Sequence, residues 1–310
     1  MQTVTVYFVN MTKQTATAQA RHEEAHAITA RDVQFDWDGM PFHYVPNEPV
    51  VTQVWNFMHL VLPEAERAMA GALADALPYI EDERLREEAV GFIGQEAMHA
   101  SSHEGVRAYL TEHGLDVEPM VDTINYLIDK VLTDHGLSGR AKKAWLKERL
   151  GLFAALEHFT AIIGQWLLEA DELDKAGIHP MMLDLLRWHG AEEVEHRSVV
   201  FDVYHHVDGS YARRARTALL ASTTLAVLTF ASITYLVNHD PSPNRGKPWP
   251  VQFVSAAMRG LVPSGLHFLT EIPVYLKPGF HPSSMGSLDQ ALRYLATSPA
   301  ANAELRQESS

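Results

Sequence analysis

The sequence predicts an all-α protein, built as four long helices in a bundle with a crossover connection and additional C-terminal helices. Three observations carry this. Apolar-rich segments with helical spacing run over Val50–Leu77, Glu81–His113, Arg140–Leu173 and Met181–Val207. Helix-ending or helix-starting residues punctuate them, notably Gly114, Pro180 and Gly209. Two Glu-x-x-His motifs, Glu96–His99 and Glu193–His196, fall on the second and fourth segments.

Residues 1–46 read as an N-terminal extension. Within it, Met1–Asn10 alternates like a short strand, Ala18–Ala30 suits a short helix, and Asp32–Tyr44 gathers aromatic residues around an Asp-Gly turn. Asn47 and Pro49 mark the first bundle helix, which Pro63 should kink or divide. The second opens on acidic residues that suit the helix dipole and stops at Gly114. A shorter helix over Met120–Asp134 belongs to the connection, Ser138 is placed to cap the third bundle helix, and Pro180 and Gly209 bound the fourth. The bundle thus occupies 47–210.

Residues 211–310 form an apolar helical extension. Thr217–Val237 is 21 residues without a charge, directly after Arg213, Arg214 and Arg216. That is long enough to span a bilayer. Seven of the 21 are Ser or Thr, however, so the expected reading is packing on the bundle or contact with a membrane surface. A Pro-rich loop, a helix over Val251–Leu276, a Pro278-Gly279 turn and a short helix at Asp289–Thr297 complete the chain before a frayed tail.

Composition narrows the functions. A net charge of −14 over 310 residues argues against nucleic acid as a partner. The absence of Cys excludes thiolate metal sites, iron–sulfur clusters and Cys nucleophiles. No basic stretch followed by an apolar core opens the chain, so no cleaved secretion signal is expected and a cytoplasmic protein is, with membrane association through 217–237 left open. A homodimer is equally open.

A Glu and a His three residues apart on a helix project from one face and can reach one metal ion. Two such helices, with one further carboxylate from each of two partners, make the carboxylate-bridged di-metal site of a ferritin-like four-helix bundle. The further carboxylates are Glu66, deeper into its helix than Glu64, and Glu157, alone in the apolar run Leu152–Phe159. The expected ligands are therefore Glu66, Glu96, His99, Glu157, Glu193 and His196, with Glu96 and Glu193 bridging. His103 shares an arc with Glu96 and His99, and His189 shares one with Glu193 and His196. Each is a seventh ligand or a partner that orients a carboxylate. Glu192 competes with Glu193, but at i+4 rather than i+3 from His196, and His158 should point elsewhere. A third Glu-x-x-His lies in His22-Glu23-Glu24-Ala25-His26, which also matches the zinc-protease motif. It sits too near the N-terminus, with no third ligand after it, to be preferred.

These residues resemble a bacterial family described as predicted metal-dependent hydrolases, a ferritin-like group. The resemblance rests on Leu62-Pro63-Glu64-Ala65-Glu66-Arg67, on Phe92 to His99 with His103, and on Glu157-His158. It continues through Trp188 to Arg197 with Phe201-Asp202, and through Lys277 to Pro282. It extends from about Thr29 to Thr297. Ala65 stands where the family pattern looks like Gly, which touches only the local backbone.

The ligand types are also those of iron proteins that activate O₂. The leading expectation is therefore an O₂-dependent di-iron oxidoreductase, with two Fe ions (or Mn or Zn), an electron donor and an apolar or amphipathic small-molecule substrate. A di-metal hydrolase acting on an ester or phosphoester is the alternative, and a non-catalytic metal-binding protein is the third.

Overall fold

A computed structural model describes residues 27–242 and 247–302. The alternating segment Met1–Asn10, the His22–His26 motif and most of the expected Ala18–Ala30 helix lie outside these residues. Among the described residues the regular structure is helical, with no strand. The four bundle helices are α1 (Pro49–Ala76), α2 (Glu83–Glu112), α4 (Gly139–Glu169) and α6 (Pro180–His196). Between the second and third bundle helices lies α3 (Glu118–Val131), and a short α5 (Asp171–Lys175) leads into α6. Then come α7 (Val199–Val207), α8 (Tyr211–His239), α9 (Trp249–Met258), α10 (Gly265–Tyr275) and α11 (Leu288–Leu295). Helix α1 packs most extensively on α2, and α4 on α6; α1 also meets α4, and α2 meets α6. This arrangement is compatible with a ferritin-like bundle.

Two expected helices divide. The segment Met181–Val207 breaks immediately after His196, where the Arg197 guanidinium takes the Val194 carbonyl (2.5 Å) that the helix would otherwise use. The segment Val251–Leu276 breaks at residues 259–264, where Pro263 can supply no N–H to continue the helix.

Pro63 does the opposite of what its chemistry suggests, because α1 runs through it without a break. A proline inside a helix removes the N–H that would bond the carbonyl four residues back and crowds that turn. Here the carbonyl is that of His59. Arg107 of α2 supplies the missing donors: its Nε lies 2.6 Å from the His59 oxygen and one terminal nitrogen 2.7 Å from the Leu60 oxygen. Its other terminal nitrogen pairs with Glu64 at 3.0 Å. The proline defect thus becomes a polar joint between α1 and α2, one turn from Glu66.

Ahead of α1, residues 28–37 lie as a strap across α2 and α6. A Cβ on Gly91 would fall 2.0 Å from the Ile28 carbonyl oxygen, so the strap can lie this close only over glycine. Phe35 packs on Trp188 of α6. On the far side of the bundle, α8 lies against α1 and α4.

Arg107→Ala should leave the buried His59 carbonyl without a donor and lower unfolding stability by roughly 1–3 kcal/mol. Urea melts measure this, and a loss below the error of the method would refute the joint.

Candidate metal centre

The four bundle helices bring six buried side chains to one place: Glu66 from α1, Glu96 and His99 from α2, Glu157 from α4, and Glu193 and His196 from α6. None is more than 2% exposed. The α4–α6 crossing sets their separation. A Cβ on Gly164 would stand 2.2 Å from the Gly190 carbonyl oxygen, and one on Gly190 would stand 2.8 Å from the Gly164 Cα. Glycine at both positions lets the backbones touch, two turns from Glu157 and one from Glu193.

His196 Nε2 lies 3.2 Å from Glu157 Oε1, 3.4 Å from Glu193 Oε2 and 3.5 Å from Glu96 Oε1. His99 Nδ1 lies 3.5 Å from Glu193 Oε1 and 3.7 Å from Glu96 Oε1. Sets of donor atoms within 4.8 Å of one another form around Glu96, Glu157 and His196, around Glu66, Glu96 and His99, and around His99, His189 and Glu193. Glu66, His103 and His189 make a further such set. Glu96 belongs to two of these groups, and Glu193 reaches both motif histidines.

The inward atoms lack partners. Both oxygens of Glu66, Glu96 and Glu157, Oε2 of Glu193, Nδ1 of His99 and Nε2 of His196 are buried without a hydrogen bond. Buried polar atoms are rarely left so, and nine in one cluster fit a site that can hold cations. The donor set of carboxylate oxygens and imidazole nitrogens suits divalent metals.

Each histidine's other nitrogen is held. His99 Nε2 lies 2.9 Å from Glu192 Oε2, and His196 Nδ1 lies 3.0 Å from Gln95 Oε1. The two holders meet at one arginine. Arg31, on the strap, donates to Glu192 Oε1 at 2.6 Å and to both oxygens of Glu195 at 2.6 and 2.7 Å. Glu195 in turn accepts from Gln95 Nε2 at 2.6 Å. One guanidinium therefore orients both imidazoles through separate relays, fixing which nitrogen of each faces inward.

A second chain runs along the bundle core. His59 Nδ1 is 2.7 Å from His103 Nδ1, His103 Nε2 is 2.6 Å from His189 Nδ1, and His189 Nε2 is 2.7 Å from Glu193 Oε1. Burial, then neighbouring His189, pushes His59 down to about 3 and His103 well below the usual imidazole range, so these two rings are neutral at pH 7. His59 Nε2, at the far end of this chain, has no hydrogen-bond partner.

Burial raises Glu66, Glu96 and Glu157 well above the carboxylate range, and repulsion from Glu193 adds to it in each case. For Glu193 burial also acts upward, but His196 and His189 outweigh it and hold it low. Burial lifts Glu192 to about 7 despite Arg31, and burial together with His189 lowers His99. Without a cation, burial favours the protonated form of Glu66, Glu96 and Glu157 but not of Glu193. A bound metal replaces those protons.

All six expected ligands converge. Glu192 stands behind His99 rather than beside the cluster, while His103 and His189 form the core chain, with His189 also 3.6 Å from Glu66. His158 lies between Tyr275 and Phe280. Sequence reasoning missed His59, Gln95, Glu195 and Arg31. His59 carried a signal, being two turns before Glu66 on the same face. Gln95 and Glu195 each sit one residue from a motif position. Arg31 carried none, because the strap's path over α2 is a tertiary fact.

A carboxyl whose pKa is higher folded than unfolded takes up a proton on folding. Its stabilisation is present at acid pH and is lost as pH rises from the ordinary carboxylate range towards the folded value. The imidazoles of His59, His99 and His103, held low by burial, act in the opposite sense over the same interval. The carboxyl share is therefore read from a variant: in metal-free protein, replacing Glu66, Glu96 and Glu157 by Gln should make the melting temperature rise more steeply from acid to neutral pH than in wild type. Thermal scans in chelator decide, and an unchanged pH dependence would contradict the cluster. Arg31→Met should weaken metal affinity roughly 10–100-fold, the range for partners behind a ligand. Calorimetric titration of metal into the variant measures it; unchanged affinity would rule out the hub.

Residues 29–286 match the family model described as "predicted metal-dependent hydrolase". No curated protein and no solved structure matches. The match overturns the expectation of an O₂-dependent di-iron oxidoreductase. The physical reason is that carboxylate and imidazole ligands do not select redox chemistry. The same donors support Lewis-acid activation of water by a metal that never changes oxidation state. With the match spanning well over half of the chain, the protein belongs to the predicted metal-dependent hydrolase family.

Proposed function

We propose that this chain is a hydrolase that cleaves an ester or phosphoester with two metal ions held by Glu66, Glu96, His99, Glu157, Glu193 and His196. The observation that carries the reading is the set of nine partnerless ligand atoms converging in a dry core, in a chain of this family. When bound, such ions polarise a carbonyl or phosphoryl oxygen and make water acidic enough to attack at neutral pH. The oxygen and nitrogen donors suit Fe, Mn or Zn.

The chain's own residues do the rest. Glu192 and Gln95 hold His99 and His196 with one nitrogen turned inward. His189 fixes Glu193 Oε1, leaving Oε2 turned towards His196. Phe92 and Trp188 pack on the motif imidazoles and exclude bulk water from that side. His103 and His189 act as supports of this geometry, and His189 is also close enough to Glu66 to join the ligand set.

Purified protein should hydrolyse chromogenic carboxylic or phosphate esters, lose activity to a chelator and regain it on adding back Mn, Zn or Fe(II). Glu157→Gln should cut both metal content and turnover, by roughly 100-fold or more in turnover for a lost ligand. Hydrolysis that survives chelation, or metal-loaded protein inert towards both ester classes, would sink the proposal.

A further inference from the structure

We propose that the face formed by α8, α9 and α10 rests in the plane of an anionic lipid bilayer and that the cavity beneath α8 accepts one acyl chain. This stands independently of the hydrolytic reading.

Helices α4 and α8 are both long and apolar enough to cross a membrane, by length and composition only. They differ in placement, because α4 is mostly buried in the bundle whereas only 22% of the most apolar window of α8 is buried. Helix α8 is fastened at both ends. Arg214, Thr217, Ala218 and Ala221 are buried at one end, and Ser232, Ile233 and Leu236 at the other. Tyr235 donates to the Asp116 carbonyl, and Asp240 accepts from Gln53 at 2.7 Å. A helix clamped along the bundle in this way lies beside it and has its outer face free for an interface.

Between the clamps, no residue from Ser222 to Ala231 is buried. Here α8 arches over a cavity of about 460 Å³ whose walls come from α1, α4, α8, α9 and α10. Trp55, Met58, Phe159, Leu225, Phe253 and Phe268 are among its lining residues, and the lining is almost wholly apolar. An apolar hollow of this size falls in the range of small-molecule pockets, and its only side-chain hydroxyls, those of Ser222 and Thr229, are few to orient a polar ligand. A flexible hydrocarbon chain fits that chemistry.

Apolar side chains surround the cavity on the outside. Val227 and Phe230 of α8, Val254 and Met258 of α9, and Leu266 and Leu269 of α10 are each more than half exposed. An exposed patch drawn from three adjoining helices marks an interaction surface. Charge selects the partner. Between residues 211 and 280 there are seven Lys or Arg against two Asp or Glu, in a chain with 25 basic and 39 acidic residues overall. Several of these bases are engaged locally: Arg213 pairs with Glu148 and Asp208, Arg216 with Glu148 and Arg259 with Glu48, and Arg214 is buried. The segment still carries a net positive charge in a strongly acidic protein. That asymmetry favours a negatively charged lipid surface over a symmetric dimer, in which this face would meet its own positively charged copy. Among the described residues, the N-terminal strap lies over α2 and α6, on the opposite side of the bundle from this face.

Vesicle flotation of the full, metal-loaded chain tests this. Protein should float with phosphatidylcholine vesicles containing phosphatidylglycerol and much less with phosphatidylcholine alone. The double substitution Val254→Asp with Leu269→Asp should lower partitioning about tenfold or more, the scale expected when two apolar side chains no longer enter the lipid. Unchanged metal content and melting temperature would show that the variant is folded. Lipids brominated along the acyl chain should quench the fluorescence of Trp55, read as the difference between wild type and a folded Trp55→Phe variant. Failure to float with any vesicle, or equal flotation of the variant, overturns the proposal. So does a dimer, seen by light scattering without vesicle binding, that the same substitutions dissociate. Flotation without Trp55 quenching overturns the acyl-chain cavity.

Discussion

Mutual repulsion among carboxylates inside a dry bundle is the constraint on which the rest of this structure depends. Glu66, Glu96, Glu157 and Glu193 come from four different helices and meet where no solvent screens them. Like charges at such distances in a low-dielectric core are strongly unfavourable unless protons or cations intervene. Burial and neighbouring carboxylates raise three of the four above the carboxylate range, which is the apoprotein's response to that strain. A divalent cation would resolve it more completely than protons, because it carries two charges and accepts lone pairs from several carboxylates at once. Metal binding at this cluster would therefore be coupled to bundle cohesion.

The bundle uses unusual local structure to hold those groups at the right spacing. Gly164 and Gly190 let α4 and α6 touch backbone to backbone, which draws Glu157 towards Glu193. Arg107 repairs the proline in α1 and ties that helix to α2 beside Glu66. Arg31 reaches across from the strap to anchor Glu192 and Glu195. Each device acts on a different pair of helices, so the four carboxylates are located by separate contacts rather than by one. The break after His196 belongs with these: ending α6 there frees Arg197 to tie its last turn to the Pro282 and Ser283 carbonyls.

Much of this was legible in the residues because helical spacing is a local property. The i,i+3 pairs Glu96–His99 and Glu193–His196 declare a shared face whatever surrounds them, and Glu157 stood out because an isolated acid in an apolar run needs a partner. What was not legible depends on contacts distant in sequence. Pro63 reads as a helix breaker until Arg107, 44 residues later, is known to lie against it. Ser138 does precede α4, but its side chain makes no capping bond there. Arg31 gains its role only from the glycines on α2 that let the strap approach.

The reaction was the least legible property, and the reason lies in the ligands themselves. Glutamate and histidine fix where a cation sits and how much charge it feels. They leave its redox behaviour to the metal's identity and to what can reach it. Two proteins with the same six ligands can differ in whether an open position receives O₂ or water, and neither outcome is written in helix spacing. The supports behind the ligands bear on this choice. Glu192 and Glu195 place carboxylates behind His99 and, through Gln95, behind His196, which makes the imidazoles better donors and stabilises the higher positive charge of a Lewis-acidic site. Arg31 limits that effect by drawing charge away from both carboxylates. The balance between Arg31 and its two glutamates would thus set how strongly a cation held by these imidazoles polarises what it binds.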